Sequence, residues 1–422
     1  MRGRFEPPGD KSIGHRVALL GALARGRSRL ERFPPGRDCA STVEILEALS
    51  VPCSKTGDVV EIEGRGLEGL EAPEADLDAG NSGSTARMAC GILAGQRFGS
   101  RLIGDESLSR RPFDRVVRPL TQMGASLSTT SGSLPLTIHG GRKLHGIDYE
   151  LPVPSAQVKT ALLLAGLFAE GTTRVREPLA SRNHTEIALR AFGAEPLVRP
   201  GGIEIRGGAP LSACRFEIPG DFSSAAFFIG AAAFLGGSEL VVENVGLNPT
   251  RAAFLEVLEA MGADIEITTR NDGGRPRGDE GEASGTLLIR GRELEGTTVP
   301  RDKVPALIDE LPILAVVAAF AQGTTRVEGA SELRVKESDR LAAIVEGLRA
   351  LGAEVNETED GFEIRGGKAL RPARLSSFGD HRMVMAWAIA SLGIAGECGI
   401  DHLDQVKISY PGFWQTLERL VS

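Results

Sequence analysis

The chain has 422 residues, 41% hydrophobic and 25% charged, with a formal net charge of −8. That length asks for two or three domains, and the acidic balance excludes nucleic acid or an anionic membrane as a general partner. Five scattered cysteines (39, 53, 90, 214, 398), with no CxxC, exclude a disulfide framework or zinc site and suit a reducing cytosol.

The first ten residues are polar and are expected to carry no targeting segment. The first motif follows at once: PGDKSIGHR, residues 8–16. A Lys-Ser pair after a glycine suggests a nucleotide phosphate loop, but that loop needs its glycine directly before the lysine, and Asp10 separates Gly9 from Lys11. The simpler expectation is a helix start, with Asp10 or Ser12 as cap.

Further along, the same arrangement returns. A polar turn leads into an Ala/Leu-rich helix, a glycine and a short strand, beginning GDKSIGHRVALLGALARG, GNSGSTARMACGILAG, PSAQVKTALLLAGLFAEG, GDFSSAAFFIGAAAFLGG, DELPILAVVAAFAQG and GDHRMVMAWAIASLG. With Arg16, Arg87, Lys159, Ser224, Pro312 and Arg382 as markers, the spacings are 71, 72, 65, 88 and 70 residues. Between these helices lie amphipathic ones, such as TRAAFLEVLEAMGA (250–263), and then strand pairs of period two, such as AEVNETEDGFEIRGG (353–367). Each unit is expected to be βαβαββ. The long spacing absorbs RNDGGRPRGDEGEASG (270–285), expected as an exposed hairpin loop or flexible insertion.

A helix apolar on nearly every side must lie inside something. Three units around a pseudo-threefold axis bury three such helices within a shell of sheets, and two such domains account for the length. The apolar runs 225–237 and 311–321 belong to these helices, being shorter than the ~18 residues a membrane span needs. In that geometry the inner helix starts converge. Helix N-termini carry free N–H groups and about half a positive charge, so the expected property is an anion-binding cleft.

With PGDKSIGHR, GNSGSTAR (80–87), GDESLSRRP (104–112), PSAQVKTALLLAG (154–166), SRNHTE (181–186), DELP (309–312), RVKESDRL (334–341) and GDHRM (379–383) in register, the chain resembles the 5-enolpyruvylshikimate-3-phosphate synthase family of enolpyruvyl transferases over essentially its whole length. The resemblance implies a two-domain inside-out α/β barrel of six βαβαββ repeats, three per domain, with the active site in the interdomain cleft. It places the domains at 10–219 and at 1–9 plus 220–422. It further implies transfer of the enolpyruvyl group of phosphoenolpyruvate to the 5-hydroxyl of shikimate 3-phosphate, in the cytoplasm, by a monomer without metal or organic cofactor.

The resemblance assigns shikimate 3-phosphate to Lys11, Ser12, Arg16, Ser155, Ala156, Gln157, Arg182, Asp309 and Lys336. In one branch of the family Arg182 grips the phosphate; in the other the adjacent serine, here Ser181, takes part. Phosphoenolpyruvate falls to Lys11, Gly83, Arg111, Gln157, Arg340 and Arg382, with Asn81 and Arg87 supporting the loop. Gly83 further implies that glyphosate can enter that subsite. Asp309 is the implied base, and Glu337 a candidate acid, with Lys11 or His381. Two positions depart from the pattern: Ile408 stands where some members have a binding lysine, with Lys407 one residue off, and Glu332 replaces an asparagine. The sister family that uses UDP-N-acetylglucosamine carries a reactive cysteine on the loop here reading GDESLSRRP, which has none. A non-catalytic relative would be expected to have lost Lys11, Asp309, Glu337 or Arg382; all four are present.

Overall fold

In the computed structural model, which describes residues 1–271 and 281–422, the polar turns become helix caps. Asp10 accepts from the Ile13 N–H at 3.0 Å and so caps the helix Lys11–Leu23. Ser82, Ser155, Asp221 and Asp380 do the same for Gly83–Ala94, Ala156–Gly166, Phe222–Phe234 and His381–Leu392. The helix Leu311–Phe320 has no side-chain cap, and Pro312 in its first turn removes one N–H that would need a partner. Past their first turns these six helices are buried almost all round. Small residues let them pack closely: a Cβ added at Gly91 would lie 2.1 Å from the Ala161 carbonyl oxygen.

Each inner helix is followed by a strand of a small sheet. Among the described residues, five of the six sheets repeat one order: a parallel opening strand, the strand after the helix, then an antiparallel hairpin. Thus Asp148–Glu150 pairs parallel with Thr172–Arg176, which pairs antiparallel with Gly202–Arg206, and Leu197–Arg199 closes the hairpin. Two opening strands come from elsewhere in the chain. Arg215–Glu217 returns to pair with Arg25–Glu31, and the N-terminal strand Arg2–Phe5 pairs with Glu239–Gly246. The sixth unit is shortened: Arg374–Leu375 and Gly399–Ile400 form a two-stranded sheet, and a 3₁₀ turn (Leu403–Ile408) and the helix Phe413–Val421 stand in place of the hairpin. Its sequence there, DHLDQVKISYPGFW, lacks the alternation of the other hairpins.

The chain divides into two compact units, each with its own apolar core. One comprises Gly9–Ile218 and takes in Glu282; the other comprises Met1–Pro8 and most of the chain from Pro219 to Ser422. The expected loop at 270–285 needs correction at its far end. Residues 272–280 lie outside the described residues, but Glu282 and Ser284 are buried, at 4% and 7% exposure, because one meets a buried histidine and the other begins the strand Ser284–Arg290.

Candidate active site

In the unit containing Gly9–Ile218, side-chain bonds tie the helix starts together. Arg16, one turn into its helix, donates from Nη2 to the Ala156 carbonyl (3.3 Å) and Thr160 Oγ1 (3.0 Å), from Nη1 to the Ser12 carbonyl (2.7 Å), and from Nε to Thr185 Oγ1 (2.8 Å). Gln157 bridges Arg87 Nη1 and Ser84 Oγ, both at 3.0 Å. Arg182 Nη1 donates to Ser12 Oγ at 3.3 Å. Ser12 is therefore free of the capping task, which Asp10 performs. Lys11 Nζ lies 2.7 Å from Asp38 Oδ2, and both side chains are only partly exposed, at 17% and 10%.

Hydroxyl, amide and carbonyl oxygens accept hydrogen bonds from each of these arginines. Burial, and then the charge of Arg182, pull the Arg16 pKa down to about 10, while Glu186, Asp10 and Glu282 oppose them. A buried guanidinium whose hydrogen bonds go to hydroxyl and carbonyl oxygens is ready for an anion. Arg111 Nη2 donates to Asn81 Oδ1 (3.1 Å) and Ser107 Oγ (3.3 Å). Arg87 lies over the Phe113 ring, 5.0 Å from its centroid. Gly83 sits against both: an added Cβ would stand 2.7 Å from Arg87 Nη1 and 3.2 Å from Arg111 Nη1. Glycine leaves room for these two groups and for close backbone approach.

The 181–186 motif is braced from behind. Lys159, 1% exposed, contacts Glu177 and Glu186 carboxylates at 2.8 Å each. A lysine in the apolar run AQVKTALLLAG signals such a buried pair, though not its partners.

The second unit brings together Asp309, Lys336, Glu337, Arg340 and Arg382. The Arg340 side chain is 1% exposed. It donates to Asp380 (2.7 and 3.2 Å), to Glu337 Oε2 (2.6 Å) and to Asp309 Oδ1 (3.2 Å). Burial alone would lower its pKa, but Asp380, Glu337 and Asp309 outweigh it and raise the value. Conversely, burial would raise the Asp380 pKa, and Arg340 pulls it down instead. Lys336 Nζ is 3.4 Å from Asp309 Oδ1, and Arg382 reaches the Asp309 carbonyl at 3.0 Å and Oδ2 at 4.0 Å. Asp309 thus faces three cations. Behind it, Glu310 is fully buried against Arg251 (2.6 Å) and Ser223 Oγ (2.5 Å). His381 is buried next to Asp380, with Nδ1 3.9 Å from Oδ1.

The structure therefore gathers Lys11, Ser12, Arg16, Gly83, Arg111, Ser155, Ala156, Gln157 and Arg182 in one unit, and Asp309, Lys336, Glu337, Arg340 and Arg382 in the other. Lys407 is exposed and paired with Asp404 at 2.6 Å. Sequence reasoning missed Asp38, Asp380, Glu310, Arg251, Thr160 and Thr185 as partners. All but Asp38 stood inside the sequences given above; the signal was their proximity to buried charged groups, which only the fold supplies. Among the described residues no group of three or more His, Cys, Asp or Glu is arranged to hold a metal ion, and no helix is long and apolar enough to cross a membrane.

A family model described as EPSP synthase (3-phosphoshikimate 1-carboxyvinyltransferase) matches residues 1–417. A 3-phosphoshikimate 1-carboxyvinyltransferase of Solibacter usitatus is 49% identical over 421 residues, covering 100% of this chain and 97% of its own length. One of Desulforamulus reducens is 48% identical over 425 residues, with the same coverage of both chains. Among solved structures, an EPSP synthase of Acinetobacter baumannii superposes with a TM-score of 0.87 at 40% identity, over 99% of this chain and 95% of that one.

Proposed function

From the premise that the chain belongs to the EPSP synthase family, and is a 3-phosphoshikimate 1-carboxyvinyltransferase, we propose how its residues divide the work. Shikimate 3-phosphate binds Lys11, Ser12, Arg16, Ser155, Ala156, Gln157 and Arg182, with Asp309 and Lys336 at the reacting hydroxyl. Ser155, Ala156, Gln157 and Arg182 take the phosphate, and Arg182 is preferred to Ser181 because its guanidinium reaches Ser12 Oγ within the same site. Phosphoenolpyruvate binds Lys11, Gly83, Arg111, Gln157, Arg340 and Arg382. Two substrates that each carry a carboxylate and a phosphate demand this many cations, since unpaired charges are expensive away from water.

The reaction is an addition followed by an elimination. Glu337 delivers a proton to the methylene carbon of phosphoenolpyruvate, with Lys11 or His381 as alternative sources, which leaves C2 cationic. Asp309 takes the proton of the 5-hydroxyl as its oxygen bonds to C2. The tetrahedral adduct then returns a proton from its new methyl group to the group that delivered it, the C2–O bond to phosphate breaks, and the vinyl ether is released as the departing phosphate carries off the proton held by Asp309. Cations near Asp309 disperse the charge that moves through these steps.

One observation supports this division best: Asp309 lies within 4.0 Å of Lys336, Arg340 and Arg382 together. Asp309→Asn keeps the size and should retain substrate binding while lowering kcat at least ~10²-fold, the usual scale for an acid–base group. Near-normal turnover would remove Asp309 from the chemistry. The five free cysteines accord with the proposed cytoplasmic location, and the enzyme is proposed to act as a monomer.

A further inference from the structure

The segment preceding Ser284–Arg290 reads as a polar insertion, yet it ends in a buried acid. Glu282 Oε1 lies 2.7 Å from His184 Nδ1, a residue 98 positions away, and both side chains are 1% exposed. An ionised carboxylate only accepts, so the Nδ1–H of His184 is the donor. His184 Nε2 is buried and has no hydrogen-bond partner among the described residues. The ring's orientation therefore depends on its bond to Glu282.

That ring occupies a critical place. His184 begins the helix His184–Ala191, two residues after Arg182. The next residue, Thr185, accepts from Arg16 Nε and also lies 2.6 Å from Thr160 Oγ1. The turn gripped by Glu282 thus carries the proposed phosphate ligand Arg182 and orients Arg16, a second residue proposed for the same substrate.

We propose that Glu282 is a positioning residue for the phosphate end of the shikimate 3-phosphate site: through His184 it fixes the turn 182–185. This rests on the reading of Arg182 as a phosphate ligand and of Arg16 as a residue of the same substrate's site.

Steady-state kinetics of the full-length enzyme test it, with each substrate varied in turn. Glu282→Ala and His184→Ala should each raise KM for shikimate 3-phosphate at least about tenfold, as expected when a buried charged hydrogen bond is broken, and shift kcat and KM for phosphoenolpyruvate less than about threefold. The double variant should be no worse than either single one, because both remove the same contact. Glu282→Gln and His184→Asn can keep the hydrogen bond and should recover much of the loss, which also serves if an alanine variant fails to fold. An unchanged KM for shikimate 3-phosphate in Glu282→Ala, an equal loss toward both substrates, or additive losses in the double variant would overturn the proposal. Arg182→Ala separates the two layers. If it raises KM for shikimate 3-phosphate while Glu282→Ala does not, the phosphate reading stands and the positioning role falls. If Arg182→Ala itself leaves that KM unchanged, the phosphate reading fails and takes the proposal with it.

Discussion

Two buried arginines, Arg16 and Arg340, have opposite surroundings and so different tasks. Arg16 donates its hydrogen bonds to hydroxyls and carbonyls, while Glu186, Asp10 and Glu282 support its charge through space. Arg340 already donates to three carboxylates, so an anion that takes it must share it with Glu337, the most exposed of the three at 22%. Between them in character stands His15, a residue of the first motif with no assigned contact to substrate. It is fully buried, 2.7 Å from Thr42 Oγ1, and burial drives its pKa from 6.5 to about 3. The folded state therefore refuses a proton that the unfolded state accepts between those values. His15 contributes its full stability above pH 6.5 and loses it as pH falls toward 3, at up to ~1.4 kcal/mol per pH unit. Denaturant midpoints of wild type and His15→Gln at several pH values between 4 and 7 should converge toward the acid end. Parallel curves would mean that the imidazole is not held neutral by burial.

At the scale of the element, the inner helices explain why small residues recur. Gly91 lies where the helix Gly83–Ala94 meets Ala156–Gly166, and an added Cβ would overlap the Ala161 carbonyl. Alanine improves helix propensity by about 1 kcal/mol over glycine, but forcing two backbones apart costs typically ~1–3 kcal/mol or more. Gly91→Ala should therefore lower the denaturation midpoint; a raised midpoint would show that the helices can separate freely. These helices were readable in the sequence because caps and apolar runs are local signals, and five of the six starts are capped by a residue in the quoted turns. Strand hairpins were readable for the same reason wherever alternation was kept. The shortened sixth unit was not, since its opening turn and helix match the others and only the residues after Gly399 depart. The partners of buried charges were harder still. Lys11 with Asp38, Arg340 with Asp380 and Glu282 with His184 join residues 27, 40 and 98 positions apart, and nothing in local spacing pairs them.

For the whole molecule, an acidic chain of net charge −8 concentrates cations where inner helices begin. Helix starts in each unit are joined by side chains: Arg16 to the Ala156 carbonyl in one, Ser223 to Glu310 and Arg382 to the Asp309 carbonyl in the other. Dipoles and arginines then add at the same places, which suits small, heavily anionic substrates rather than an extended polyanion. The rival sugar-nucleotide substrate would need no different fold, so the choice between acceptors lies with the residues at the site. The most direct test is phosphate release from phosphoenolpyruvate by the purified protein, with shikimate 3-phosphate and UDP-N-acetylglucosamine offered separately and each substrate also supplied alone. The expected result is release with shikimate 3-phosphate and with no other combination. Release with the sugar nucleotide instead, or none with either in demonstrably folded protein, would contradict the account.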